Sequence, residues 1–225
     1  MNSIGMSKKF LRMKFVLPTV VILGVLLAMV GVVSASVIGG GTIIAPPADI
    51  QNSDVLTGAA TNFEQEAFDE RQNVLLTVPL AVDVGFISKG MIVDSHMIFL
   101  NQPDGTPGVT VDVGRTWTFD KPIVGVMSDS AGILEVASTP LLGAPGTVYP
   151  VAPFDARGME GGDGYVVSGS TIKVTMGVSQ PGDWIRVITS HKTTICHKGK
   201  TITVSNNAVP AHLDHGDTLG PCLLK

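Results

Sequence analysis

The sequence predicts an all-β protein, a two-sheet sandwich or jelly roll with a small disulfide-closed C-terminal module. Three features carry that prediction. About nine short β-patterned runs recur between tight turns, the spacing of a sandwich. Glycine and proline are abundant, at 26 and 14 of 225 residues, and Lys-, Glu- and Ala-rich helical stretches are missing. The only two cysteines, Cys196 and Cys222, lie near the C-terminus.

The N-terminus reads as an export signal over residues 1–35. Lys8, Lys9, Arg12 and Lys14 precede an apolar stretch over 15–33, and Val33-Ser34-Ala35 has the small residues of a cleavage site. The stretch is nearly long enough to span a bilayer, so an uncleaved anchor is the alternative. The expected location is secreted or cell surface, with membrane contact only through this segment if it is retained. Cleavage leaves eleven Lys and Arg against nineteen Asp and Glu. So acidic a chain does not suit nucleic acid, whose phosphates call for a basic surface. The remaining roughly 190 residues suffice for one sizeable core.

Residues 36–60 are small and Gly-rich and read as a linker or an edge strand. The β-sandwich is expected over 61–190. Residues 63–70, with four acids around Phe63 and Phe68, read as a helical turn or an acidic lead-in. Residues 74–84 form a long apolar run broken by Pro79, which suggests an edge or a bulge. Strands follow over 91–100, 109–113, 116–119, 123–127 and 133–136, several with period-two alternation. A Gly- and Pro-rich connection over 139–164 is long enough to suggest a functional loop. Strands resume over 165–167, 172–176 and 184–188, with Gly169-Ser170 as hairpin chemistry.

The module is expected over 191–225. In an exported chain, Cys196 and Cys222 are most simply a disulfide. Residues 200–204 alternate as a strand. Asn206 or Asn207 would cap a short helix through His215, with Pro210 in its first turn and Gly216 as its stop. His212 and His215 are three apart and share a helical face, and His197 and Asp217 could join them. Imidazoles with a carboxylate are ordinary ligands of Zn²⁺. Hydrogen bonds around the loop are the simpler reading. Glu66, Glu160 and Asp163, with Asp69 or Glu70, form a second candidate, an oxygen set for Ca²⁺.

No catalytic residues are assigned. Ser170-Thr171-Ile172-Lys173 spells S-x-x-K, but it enters a strand pattern and lacks its partner motifs. In Asp94-Ser95-His96, strand alternation puts Ser95 and His96 on opposite faces, and His96 reads as a hydrogen-bonded strand histidine. Trp117 and Trp184 read as core. Tyr149 and Tyr165, flanking the long connection, read as the more exposed aromatics.

The segment Cys196-His197-Lys198-Gly199-Lys200-Thr201-Ile202-Thr203-Val204, with Ala208-Val209-Pro210-Ala211-His212-Leu213-Asp214-His215-Gly216-Asp217 and Gly220-Pro221-Cys222, resembles a Cys/His module at the ends of secreted bacterial proteins. The body is similar to an uncharacterised domain of exported bacterial proteins. It matches in Glu66-Ala67-Phe68-Asp69-Glu70, Val93-Asp94-Ser95-His96, Leu142-Gly143-Ala144-Pro145-Gly146-Thr147 and Asp183-Trp184-Ile185-Arg186-Val187-Ile188-Thr189. The resemblance implies an extracellular location and supplies no activity. The expectation is a non-enzymatic protein that binds an extracellular polysaccharide or surface protein, or has a structural role. The alternatives are a secreted hydrolase with a site near the 139–164 loop, using His96 or the tail histidines, and a metal-binding extracellular protein.

Overall fold

The computed structural model describes residues 36–50, 61–103, 105–153, 155–179, 182–205 and 208–222. The expected signal segment, the 51–60 part of the linker and the caps Asn206 and Asn207 lie outside them. In chain order the strands begin with β1 (Val37–Gly39), β2 (Thr42–Ile43), β3 (Glu66–Asp69), β4 (Val74–Leu75), β5 (Leu80–Ala81) and β6 (Phe86–Ile87). The long strands β7 (Ile92–Leu100), β8 (Thr110–Phe119) and β9 (Ile123–Met127) come next, then helix α1 (Ile133–Leu142). After it come β10 (Gly164–Ser168), β11 (Thr171–Val178) and β12 (Asp183–Ser190). The chain closes with β13 (Lys192–His197), β14 (Lys200–Ser205), α2 (Val209–Asp214) and β15 (Thr218–Leu219).

Two sheets form the sandwich. One has the order β1-β8-β11-β10; the other has β2-β3-β7-β12-β9, with β4 also on β7. Their shared interior holds Trp117, Phe119, Ile172, Val174 and Met176 from the first sheet and Ile98, Leu100, Ile185 and Val187 from the second. Each such side chain contributes about 1.5–3 kcal/mol by leaving water. β11 shows why it is a strand: Ile172, Val174, Met176 and Val178 are buried, and the residues between them face outward.

The second sheet is covered on both faces, so β12 is buried at every position. On its outer face, Phe68, Met97, Phe99 and Trp184 pack with Ile50, Ala144 and Tyr149. Beside them Val93, Met127 and Ile188 pack with Leu76, Val82, Ile87 and Leu142. The sheet is therefore the middle of three layers, and α1 with its following segment is part of the third.

The described part of 36–60 contributes two short strands at sheet edges. β1 pairs with β8 in one sheet, and β2 pairs in parallel with β3 in the other. Gly40 makes the crossing between them. Its φ is +135°, and a Cβ there would lie 2.7 Å from the Trp117 Cα.

Several expectations need correction. Residues 63–70 supply strand β3, paired with β7, rather than a helical turn. The 74–84 run is divided at Pro79 into two short strands, β4 and β5. Residues 133–136 open α1 instead of forming a strand. Asp129 decides this locally: its carboxylate accepts from the Ile133 and Leu134 amides at 2.6 and 3.1 Å and satisfies the helix start. Gly132 enters the helix in a left-handed conformation with φ +66°. The connection expected over 139–164 is thus helical up to Leu142.

Candidate functional site

In the C-terminal module β13 lies between β14 and β15, and Cys196 and Cys222 form a disulfide. β13 delivers His197, α2 delivers His212, and the segment before β15 delivers Asp217. Both imidazole Nδ1 atoms meet one Asp217 oxygen, at 2.6 Å from His197 and 2.8 Å from His212. The carboxylate can only accept, so each Nδ1 donates. His215 does not join them. α2 ends at Asp214, and His215 is its exposed C-cap. The donor atoms of His197, His212 and Asp217 lie within 4.8 Å of one another. Separations of 2.6–2.8 Å are nonetheless those of hydrogen bonds, and a Zn²⁺ ion would have to spread them.

The His197 hydrogen bond holds the Asp217 carboxyl below the usual range, against opposing desolvation and with His212 assisting. A depressed carboxyl stabilises the fold above the unfolded-state pKa of about 3.9, and that contribution is lost as pH falls through the lower folded value. Asp217→Asn should therefore speed hydrogen exchange in β13 and β15 at neutral pH. In the native protein this contact should hold down to about pH 4. Equal exchange in variant and native protein would show that the contact carries nothing.

A second cluster lies at one end of the sandwich. Glu160 and Asp163 bracket a turn in which the Asp163 amide donates to the Glu160 carbonyl at 2.9 Å. Asp183 opens β12 opposite Leu100. The three carboxylates converge within 4.8 Å. Glu160 is exposed, Asp163 half-buried, and Asp183 only 1% exposed. Burial, together with Asp163 and Glu160, pushes the Asp183 carboxyl up to about 10. Glu66 is not in this cluster. It stands on β3 opposite Phe99 and shares the outer face of the sheet with Phe68, whereas Asp183 shares the inner face with Ile185. Asp69 bonds His96, and Glu70 bonds Arg186.

A buried ionic network sits beneath α1. Glu70 takes both ends of the Arg186 guanidinium at 2.7 Å, and it accepts from the Tyr149 hydroxyl at 2.7 Å and the Ser95 hydroxyl at 2.6 Å. Arg186 also reaches Glu135 at 3.2 Å, and Glu135 pairs with Arg157. Arg157 in turn donates to the carbonyls of Pro150 and Ala152. Burial alone would lower the Arg186 pKa; Glu70 and Glu135 outweigh it and hold the guanidinium charged. Nothing in the local sequence marks this network, since Glu70 and Arg186 are 116 residues apart.

His96 is fully buried on the inner face, with Nδ1 2.7 Å from Asp69 and Nε2 2.9 Å from the Thr189 hydroxyl. It is on the face opposite Tyr149 and Arg157, and its ring nitrogens are engaged by Asp69 and Thr189 rather than by a residue of the 139–164 loop. Its acid partner is Asp69; Asp94 bonds His191 at 3.0 Å. Trp117 and Trp184 are core, as expected. Tyr149 is not an exposed platform. It is 7% exposed, and its hydroxyl is taken up between Glu70 and the Ala144 amide. Tyr165 is half-buried, with its hydroxyl on Asp83 at 2.9 Å.

The fold and its sites define a disulfide-bonded, all-β sandwich protein with a small Cys/His tail. No protein-family model, curated protein or solved structure matches the chain. Among the described residues, no helix is long and apolar enough to cross a membrane.

Proposed function

We propose that this is a non-enzymatic extracellular sandwich that binds a protein partner at the cell surface. The disulfide supports the location, because such bonds persist in oxidising compartments, and the basic-then-apolar N-terminal sequence agrees with export. The observation that carries the binding reading is a groove beside β9 and β10. Val82, Val84, Ile123, Val126 and Val167 wall it, and its Tyr165 hydroxyl is already engaged by Asp83. An apolar wall of this kind suits a protein segment better than a polysaccharide, whose hydroxyls need polar partners.

The test is binding of the oxidised protein to cell-surface material, with and without protease treatment of that material. Val84→Asp and Val167→Asp should each weaken binding about tenfold or more and leave the melting temperature within a degree or two, because both side chains reach solvent. Binding that survives protease and yields to soluble polysaccharide would replace the protein partner with a glycan. Turnover of that polymer would replace binding with hydrolysis.

A further inference from the structure

Asp183 presents an unusual problem. It is 99% buried, and neither of its carboxylate oxygens accepts a hydrogen bond from a donor among the described residues. Its surroundings make this worse, because the groups aimed at it are two more carboxylates, Asp163 and Glu160. No Lys, Arg or His among the described residues forms an ion pair with any of the three. Burying an unpaired carboxylate costs several kcal/mol, so the arrangement requires either a cation or a proton shared between acids.

We propose that Glu160, Asp163 and Asp183 hold one Ca²⁺ ion, which ties the two sheets together at this end of the sandwich. The positions of the three residues fit that role. Asp163 leads into β10 and lies over Gly177 of β11, both in the first sheet, with Oδ1 3.6 Å from where a Gly177 Cβ would stand. Asp183 belongs to β12 in the second sheet. Glu160 sits on the strap that Met159 anchors through its amide to the Ser128 carbonyl at 2.9 Å. An ion here would join the three carboxylates, which otherwise face one another as like charges.

The donor set selects the ion. All three ligands are carboxylate oxygens, the preference of a hard cation. Ca²⁺ binds oxygen at about 2.3–2.6 Å, so two oxygens on opposite sides of it stand about 4.6–5.2 Å apart. The three donor oxygens all lie within 4.8 Å of one another, so a single ion placed among them can reach each one. Mg²⁺ demands a near-ideal octahedron and releases water reluctantly, which suits poorly a site with one ligand on an exposed turn and one deep on a strand. Ca²⁺ accepts irregular coordination, and water can complete its shell on the exposed Glu160 side.

The experiment is calorimetric titration of the oxidised, chelator-treated full chain with CaCl₂, paired with Tb³⁺ luminescence and its displacement by Ca²⁺. One ion should bind, with an affinity of about 10⁻⁴ to 10⁻³ M, the range of extracellular modules. Asp183→Asn should weaken it about tenfold or more, and Asp217→Asn in the tail should leave it unchanged. Absence of binding to the native protein at about 10 mM Ca²⁺ would overturn the proposal and leave a shared proton between Asp183 and Asp163 as the explanation. So would an Asp183→Asn chain that binds Ca²⁺ as the native chain does. Should that variant fail to fold, the titration of the native protein decides the matter, with Glu160→Gln as the second variant.

Discussion

Arg186→Met is expected to lower stability by about 3–5 kcal/mol, the cost of leaving a buried charge without its partner. The substitution keeps most of the side chain's apolar volume, so the loss is electrostatic rather than a cavity. What it strands is specific. Glu70 is fully buried, and both of its oxygens bond the guanidinium. With Arg186 gone, Glu70 keeps the Tyr149 and Ser95 hydroxyls as its side-chain partners among the described residues, and Glu135 keeps Arg157 and the Thr139 hydroxyl. The helix suffers too: Arg186 donates to the Glu135 carbonyl and the Ser138 hydroxyl at 2.7 Å and so pins α1 to the middle sheet. Urea denaturation should show a fall in midpoint with little change in slope. Arg186→Lys should not rescue it, because one ammonium cannot span two carboxylates as the planar fork does. A loss below about 1 kcal/mol would mean that water reaches the network and screens it.

The size of that expected loss does not make the network a net source of stability. Removing both charges of a buried pair and filling the space with apolar side chains is often neutral or favourable. The two arginines and two glutamates instead fix one docking of α1 and of the 150–157 segment, through groups satisfied in one arrangement. Gly158, whose added Cβ would stand 2.2 Å from the Asp129 carbonyl, and Gly132 crowded by Arg157 show how closely that strap fits the helix start.

Much of the sandwich was legible because local pattern and tertiary role coincide. β11 alternates, and the alternation is the division between core and solvent. α1 was not legible. Ile133 and Val136 are β-branched and favour a strand by residue type, and Pro140 sits inside the helix, where its missing N–H argues against one. The stop at Gly216 could be read from the sequence, whereas spacing paired His212 with His215 and left His197 and Asp217 only as residues that could join, and the loss of His215 depended on where α2 ends. Asp183 was missed for a different reason. Gly182-Asp183 reads as a turn before a strand, and only the packing of two sheets, with Gly182 against the Leu100 carbonyl, turns that acid inward. Tyr149 was misplaced likewise, because its partner Glu70 is 79 residues away.

Reduction of the disulfide, or Cys196→Ser with Cys222→Ser, is expected to melt the tail while the sandwich stays folded. The bond closes a loop with a sequence separation of 26, and in the chain-entropy model closure of such a loop contributes about 3–4 kcal/mol. The tail has little else to set against that loss. Ile195 is its one fully buried apolar side chain among the described residues, and β14 is exposed or half-buried along its length. The three apolar clusters of the body draw no residue from beyond β12, so their packing does not depend on the tail. Hydrogen exchange with and without a reductant should show lost protection across β13, β14 and β15 and retained protection in β7, β11 and β12. Trypsin should then cut at Lys198 and Lys200, which the β13–β14 hairpin otherwise guards. Cooperative loss of the whole β-signal on reduction would mean that the junction at His191, whose amide bonds the Ile92 carbonyl at 3.1 Å, couples tail and sandwich into one unit. Unchanged protection would mean that the His197–Asp217–His212 cluster and the three-stranded sheet hold the tail without the crosslink.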